Sequence, residues 1–216
     1  MAIEYREIQS VRNMSYSDFT LESVATKLGI TTQQENLFPD LTPTAVPAWL
    51  IETFGKGTQL ALISEKSRSE FIVVPVLLTS RELSNGQLAI FSGQRLDVDA
   101  SAGLVGECDF ILAIAPPIPP LRAPIATIVE AKKNDVEAGL GQCIAQMVAA
   151  RRFNEAAGRA NSPVFGCVTT GEVWQFLRLR EQIAMVDKRR FYLDDVGRIL
   201  AAFQAIFEQS RKFAIS

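Results

Sequence analysis

The chain contains no histidine. That absence excludes Ser-His-Asp and Cys-His nucleophile systems, His-ligated zinc hydrolysis and nucleases built on a histidine base. Acid–base or metal chemistry must come from carboxylates, lysine, tyrosine or bound water. Cysteine is scarce: Cys108, Cys143 and Cys167 are far apart and odd in number, which argues against a disulfide framework and against a cysteine zinc cluster. Buried thiols are expected instead. Charge of either sign is nearly balanced at −2, so global charge lends no support to a protein that coats nucleic acid. A polyanion would need a local patch. No apolar run reaches the ~18 residues of a membrane-spanning helix. Met1-Ala2-Ile3-Glu4-Tyr5-Arg6-Glu7 lacks the basic-then-apolar layout of a secretory signal. A cytoplasmic location is the expectation.

What is present is enough for a sizeable core: 216 residues, 48% of them apolar. One domain is expected over 61–216, with 1–60 as an extension packed on it. The extension should carry a short amphipathic helix over Phe19–Leu28, a proline loop over Asn36–Pro47 and a helix from Ala48 to Phe54 that stops at Gly55. Gly55-Lys56-Gly57-Thr58 lacks the upstream glycine and the Lys-Ser/Thr adjacency of a phosphate-binding loop, so it reads as a turn.

Ser64–Leu83 reads as one helix with Ser64 as its N-cap, and Pro75 inside it predicts a kink or a change of helical geometry. Strands are expected at Gln87–Phe91, at Arg95–Asp99 after a turn at Ser92-Gly93, and at Asp109–Ala115. The prolines of 116–124 make a loop, and Ala126–Ala131 returns as a strand antiparallel to Asp109–Ala115. A helix over Gly139–Phe153 turns Leu140, Cys143, Ile144, Met147 and Val148 to one side and Gln142, Gln146, Ala149 and Phe153 to the other. Val164–Val168, Val173–Leu179 and Ile183–Tyr192 read as strands. Asp194 or Asp195 caps a last helix. The class is α/β, a sheet with flanking helices rather than a repeated βαβ pattern.

The chemistry concentrates in Ile128-Val129-Glu130-Ala131-Lys132-Lys133. Strand alternation puts Glu130 and Lys132 on one face and Ala131 on the other. Charges interrupting an apolar strand are costly unless they are paired, and a divalent cation offsets that cost. Glu130 supplies a hard oxygen ligand, the Ala131 carbonyl a further one, and Lys132 holds the attacking water or the phosphate. The hairpin brings Asp109 beside Glu130, where the two carboxylates repel unless a cation lies between them. The set suits a small Mg²⁺ site, with Mn²⁺ as a substitute, for in-line attack on a phosphodiester.

Asp109, a hairpin and then Glu130-Ala131-Lys132 resembles the PD-(D/E)xK nuclease superfamily. Ser64-Glu65-Lys66-Ser67-Arg68, with Ile72, Pro75 and Leu77, resembles the opening helix of the amino-terminal nuclease domains of type I restriction subunits. The likeness covers about residues 64–180, and Cys108 stands where the family often has proline. It implies a restriction-endonuclease-like αβββαβ core with a mixed sheet. It implies Glu65 as the helix carboxylate and a metal ligand, with Glu70 in reserve, and Gln142 and Gln146 as polar residues of the helix after the motif. The function implied is Mg²⁺-dependent nucleolysis, in DNA by preference, with targeting by a homodimer or a partner protein. The alternative is a non-catalytic module of the same fold that binds nucleic acid or protein. Arg151-Arg152 and Lys188-Arg189-Arg190 are ordinary surface charges unless they flank a groove.

Overall fold

The computed structural model describes residues 14–57, 59–60 and 62–214. An eight-stranded mixed sheet lies between two layers of helices. The elements in chain order are α1 Leu21–Leu28, β1 Thr31–Glu35, α2 Ala48–Gly57, α3 Glu65–Arg68, a π-helical turn Ser69–Val73, α4 Val74–Leu83, β2 Ala89–Arg95, β3 Glu107–Ala113, β4 Ile125–Ala131, α5 Glu137–Ala156, β5 Val164–Thr169, β6 Val173–Arg180, β7 Ile183–Asp187, β8 Phe191–Tyr192 and α6 Val196–Ala214. The strands run β1-β7-β6-β5-β4-β3-β2, with β8 paired to β6. β2-β3-β4 and β5-β6-β7 are antiparallel meanders. They meet at the parallel pair β4–β5, which α5 connects. Every residue of β4 and β5 is buried, because helices cover both faces there and the strands read as continuous apolar runs.

One core lies between the sheet and α1 and α5, with Ile111, Ile128, Ile144, Met147 and Val168 in it. The other lies between the sheet and α4 and α6, with Phe110, Val129, Trp174, Phe176 and Phe203. Their separation follows from strand alternation: Ile111, Ile128 and Val168 face α5, while Phe110, Val129 and Trp174 face α6. α5 is pinned at its carboxyl end by Asn154. Its Nδ2 donates to the Ile125 carbonyl at 2.9 Å and its Oδ1 accepts from the Ile125 amide at 2.8 Å.

Local sequence explains the helix ends. Thr20 accepts the Ser23 amide at 3.2 Å to start α1, and Gly29 closes it in the left-handed conformation at φ 68°. Ser64 accepts the Ser67 amide at 3.0 Å to start α3. Pro75 has no N–H to offer the carbonyl four residues back, and the π turn immediately before α4 absorbs the mismatch. The expected change of geometry at Pro75 is therefore present.

Several expectations need correction. β2 runs unbroken from Ala89 to Arg95, and Gly93 takes φ +61° inside it rather than forming a turn with Ser92. Arg95–Asp99 is not a separate strand. Past Arg95 the chain closes a small loop bridged between Asp99 and Leu104. α2 continues through Gly55 to Gly57. The stretch Ile183–Tyr192 is two strands, broken at Lys188-Arg189-Arg190. β1 was not anticipated. It extends the sheet by pairing in parallel with β7, Thr31 opposite Ile183 and Glu35 opposite Asp187. Among the described residues no helix is long and apolar enough to cross a membrane.

Gly141 lets the amino-terminal segment dock on α5. A Cβ there would lie 2.5 Å from the Phe19 carbonyl oxygen and 2.6 Å from the Thr20 Cα. These are backbone atoms that cannot swing aside. Gly141→Ala is expected to lower stability by about 2 kcal/mol through overpacking, against the small gain that alanine brings at an unconstrained helix position. Urea unfolding measures it; an unchanged midpoint would show that α1 is not seated on α5.

Candidate functional site

β3 and β4 pair with Phe110 opposite Val129 and Ile111 opposite Ile128. One step further along this register sets Asp109 against Glu130, so both carboxylates leave the sheet on the α5 side. Lys132, two residues on, shares that face. The Asp109 Oδ2 accepts the Ala131 amide at 2.7 Å. Glu130 is 2% exposed. Its Oε1 accepts from Lys132 Nζ at 2.6 Å and its Oε2 from Gln146 Nε2 at 2.9 Å. Lys132 Nζ also donates to Gln142 Oε1 at 3.0 Å, and the Lys132 amide donates to the Thr169 carbonyl at 2.7 Å.

Electrostatics at this cluster are set by burial. Glu130 is pushed up to about 7, by burial first and by the Asp109 charge second, against the opposing pull of Lys132. Asp109 is also raised, chiefly by burial, with its bond from the Ala131 amide working the other way. For Lys132 burial acts downward, yet the charges of Glu130, Glu65 and Asp109 outweigh it and the ammonium is raised. The difference between the ion-pair partners follows from exposure: the Lys132 side chain is 22% exposed and that of Glu130 only 2%.

Glu65 comes from the first turn of α3. It lines an open cleft of about 390 Å³ together with Asp109, Glu70, Glu107 and Ser92. Its charge is felt by Lys132. Glu70, five residues on and inside the π turn, lines the same cleft and approaches Lys66 at 3.9 Å, so both carboxylates face it. Arg68 holds this helix against the end of β4, donating to the Lys133 carbonyl at 2.8 Å and to the Leu62 carbonyl at 3.0 Å. Gly139 opens space on the other side, since a Cβ there would lie 2.6 Å from Val168 Cγ1 and 3.0 Å from Lys132 Cγ.

The structure thus brings Asp109, Glu130, Lys132 and Gln142 together, with Glu65 across the cleft. Ala131 contributes its amide to Asp109, and its methyl points to the opposite face. Gln146, expected with Ala149 on the side of the helix away from the apolar residues, is fully buried and completes the hold on Glu130. Its position four residues after Gln142, inside an otherwise small and apolar helix, was the available signal. Glu107 and Gly139 had no comparable signal. Arg151 and Arg152 lie at the far end of α5. Arg152 pairs with Asp99 at 2.6 Å, and Arg151 with Glu155 and the Glu181 carbonyl. Trp49 is partly buried against the α6-side core and donates to Glu82, while Trp174 is fully buried.

The donor set is made of hard oxygens, which suits Mg²⁺ or Mn²⁺ rather than zinc or copper. Among the described residues no three His, Cys, Asp or Glu side chains close on a single point. Mg²⁺ does not require three, since it is commonly held by one or two carboxylates with water and phosphate completing the shell. The crowding of Asp109 against a buried Glu130 is the arrangement that a cation relieves.

Glu130 binds its proton more tightly in the fold than in the unfolded chain, so the resulting stability is full below pH 4.5 and is lost as pH rises through about 7. Asp109 acts in the same direction. In the presence of a chelator the protein should lose up to about 3 kcal/mol between pH 4.5 and 8. Denaturant melts across that range measure it, and Glu130→Gln should flatten the profile. A wild-type profile that rises over the same range would show that Glu130 is not buried as a crowded acid.

Comparison with protein-family models, with curated proteins and with solved structures finds no match to this chain. The site's own geometry has to carry the functional reading.

Proposed function

We propose that this protein is a Mg²⁺-dependent nuclease of the PD-(D/E)xK type that hydrolyses phosphodiester bonds in DNA. The observation that carries the reading is the convergence of Asp109, Glu130 and Lys132 on one sheet face, from adjacent antiparallel strands, with Gln142 on Lys132. The order α4, β2, β3, β4, α5, β5 supports a restriction-endonuclease-like core, assigned to 61–216, with 1–60 as an extension.

Asp109, Glu130, Glu65 and the Ala131 carbonyl are the groups that would hold the ion. When bound, the ion supplies Lewis-acid stabilisation of phosphoryl oxygens and an acidified water. Lys132 presents its ammonium to the phosphate and the incoming water. Gln142 fixes that ammonium in place, and Gln146 fixes the Glu130 carboxylate. The test is cleavage of linear duplex, nicked and single-stranded DNA by the purified chain with Mg²⁺ or Mn²⁺, against a chelator control.

One observation favours a second reading. Both Glu130 oxygens and the Lys132 ammonium are already satisfied within the protein. A closed network of this kind can serve as architecture in a non-catalytic module that binds nucleic acid or protein. Absence of cleavage together with absence of ion binding at millimolar concentration selects that module.

A further inference from the structure

A second cavity, of about 200 Å³, opens on the other side of the α5 amino terminus from the acidic cleft. Its walls are Leu21 of α1, Val136 and Leu140 at the start of α5, and Val186 of β7. Its inner polar group is Gln175, 6% exposed. The register sets Glu130 opposite Val168 and Val168 opposite Gln175. The cavity therefore lies two strand spacings, about 10 Å, from Glu130 on the same sheet face.

Gln175 Nε2 is occupied, donating to the carbonyls of Asp187 at 2.7 Å and Arg189 at 3.3 Å. Among the described residues no donor meets Gln175 Oε1. The mouth carries Lys188, Arg190 and the Glu137 carboxylate. The Lys188 ammonium has no acidic partner among the described residues, and Arg190 reaches Glu137 at 2.5 Å. Asp187 adds no open charge, because its carboxylate is turned inward onto the Leu37 and Arg189 amides at 3.2 and 2.8 Å.

An amide oxygen open to the cavity with no protein donor among the described residues, apolar walls and an unpaired cation at the rim fit a nucleobase with its phosphate. The base offers an N–H edge to Gln175 Oε1 and its faces to Leu21 and Leu140. The phosphate meets Lys188, beside the Arg190–Glu137 pair. A base stacked in a duplex cannot reach so deep a group. We propose that this cavity receives an unpaired nucleobase beside the scissile phosphate, so that the substrate is single-stranded nucleic acid or a duplex carrying an unpaired nucleotide. The proposal rests on the nuclease reading for its biological sense but is tested apart from it.

The test is ¹H–¹⁵N NMR titration of the full chain, without metal, with nucleoside 5′-monophosphates, ribose 5-phosphate and inorganic phosphate. Nucleotides should shift Val136, Leu140, Gln175 and Lys188 and bind about tenfold more tightly than ribose 5-phosphate. Lys188→Ala, an exposed change, should weaken all phosphorylated probes alike. Leu21→Trp, which crowds the cavity from the exposed face of α1, should remove the preference for nucleotides and leave phosphate binding in place. Equal affinity for nucleotide and ribose 5-phosphate, or shifts elsewhere only, overturns the proposal. Nucleotide binding without any cleavage sinks the nuclease reading alone. Cleavage of fully paired duplex as fast as of single strands, with no nucleotide binding, sinks the cavity proposal alone.

Discussion

Lys132→Ala is expected to lower Mg²⁺-dependent cleavage by about a thousandfold or more, and Glu130→Ala to do the same. The two variants should separate in calorimetry. If Glu130 is an ion ligand as proposed, Glu130→Ala should lose Mg²⁺ or Mn²⁺ binding, whereas Lys132→Ala should retain it. The stability cost also differs in kind. Lys132 is the cation on Glu130 at 2.6 Å, and Glu130 is 2% exposed. Without Lys132 the carboxylate keeps its proton over a wider pH range, and the fold gives up about 1–3 kcal/mol. Lys132→Met, which retains most of the apolar stem, should reproduce the loss of cleavage with a smaller loss of stability. Wild-type protein that cuts no DNA form with either metal, and binds neither at millimolar concentration, would end the enzyme reading in favour of the interaction module.

Trp174→Ala should cost about 4 kcal/mol. The indole is fully buried between β6 and α6, edge-on to Phe203 with ring centres 6.0 Å apart. Its Nε1 donates to the Gly171 carbonyl at 2.9 Å. Phenylalanine at this position would refill much of the volume and leave that carbonyl without its donor, so Trp174→Phe should cost about 1–2 kcal/mol. The loss should extend to the site. Gly171 lies against Arg68 and Ile72, and Arg68 holds the Lys133 carbonyl. Urea unfolding of the three proteins gives the ranking. An alanine variant within about 0.5 kcal/mol of wild type, a margin typical of surface changes, would mean that this core is loosely packed.

The sequence made the centre of the molecule legible and its rim obscure, for physical reasons. β4 and β5 are covered on both sides, so they appear as unbroken apolar runs, and the charges of Glu130 and Lys132 stand out against them. The hairpin was marked by its prolines. β1 carries Thr31, Thr32, Gln33, Gln34 and Glu35, none of them buried, so neither alternation nor apolar content announces it. It is held to β7 by backbone pairing. Gln146 looks like any solvated helix residue until α5 is known to be covered nearly all round. Gly93 read as a turn because glycine is the usual turn residue, yet here its positive φ is accommodated within a continuous strand. The break at Lys188-Arg189-Arg190 was hidden by apolar residues on both sides of it.

β1 also imposes an order of events during synthesis. Thr31 bonds to Gln182, 151 residues later in the chain. A ribosome releases the amino-terminal strand long before its partner exists. For that interval β1 is a short polar segment with no apolar face of its own to hide. β7 must be synthesised before β1 can pair with its edge. This long-range step sets a slow element in assembly. A truncated chain starting after β1 would leave that edge open to pair with another molecule.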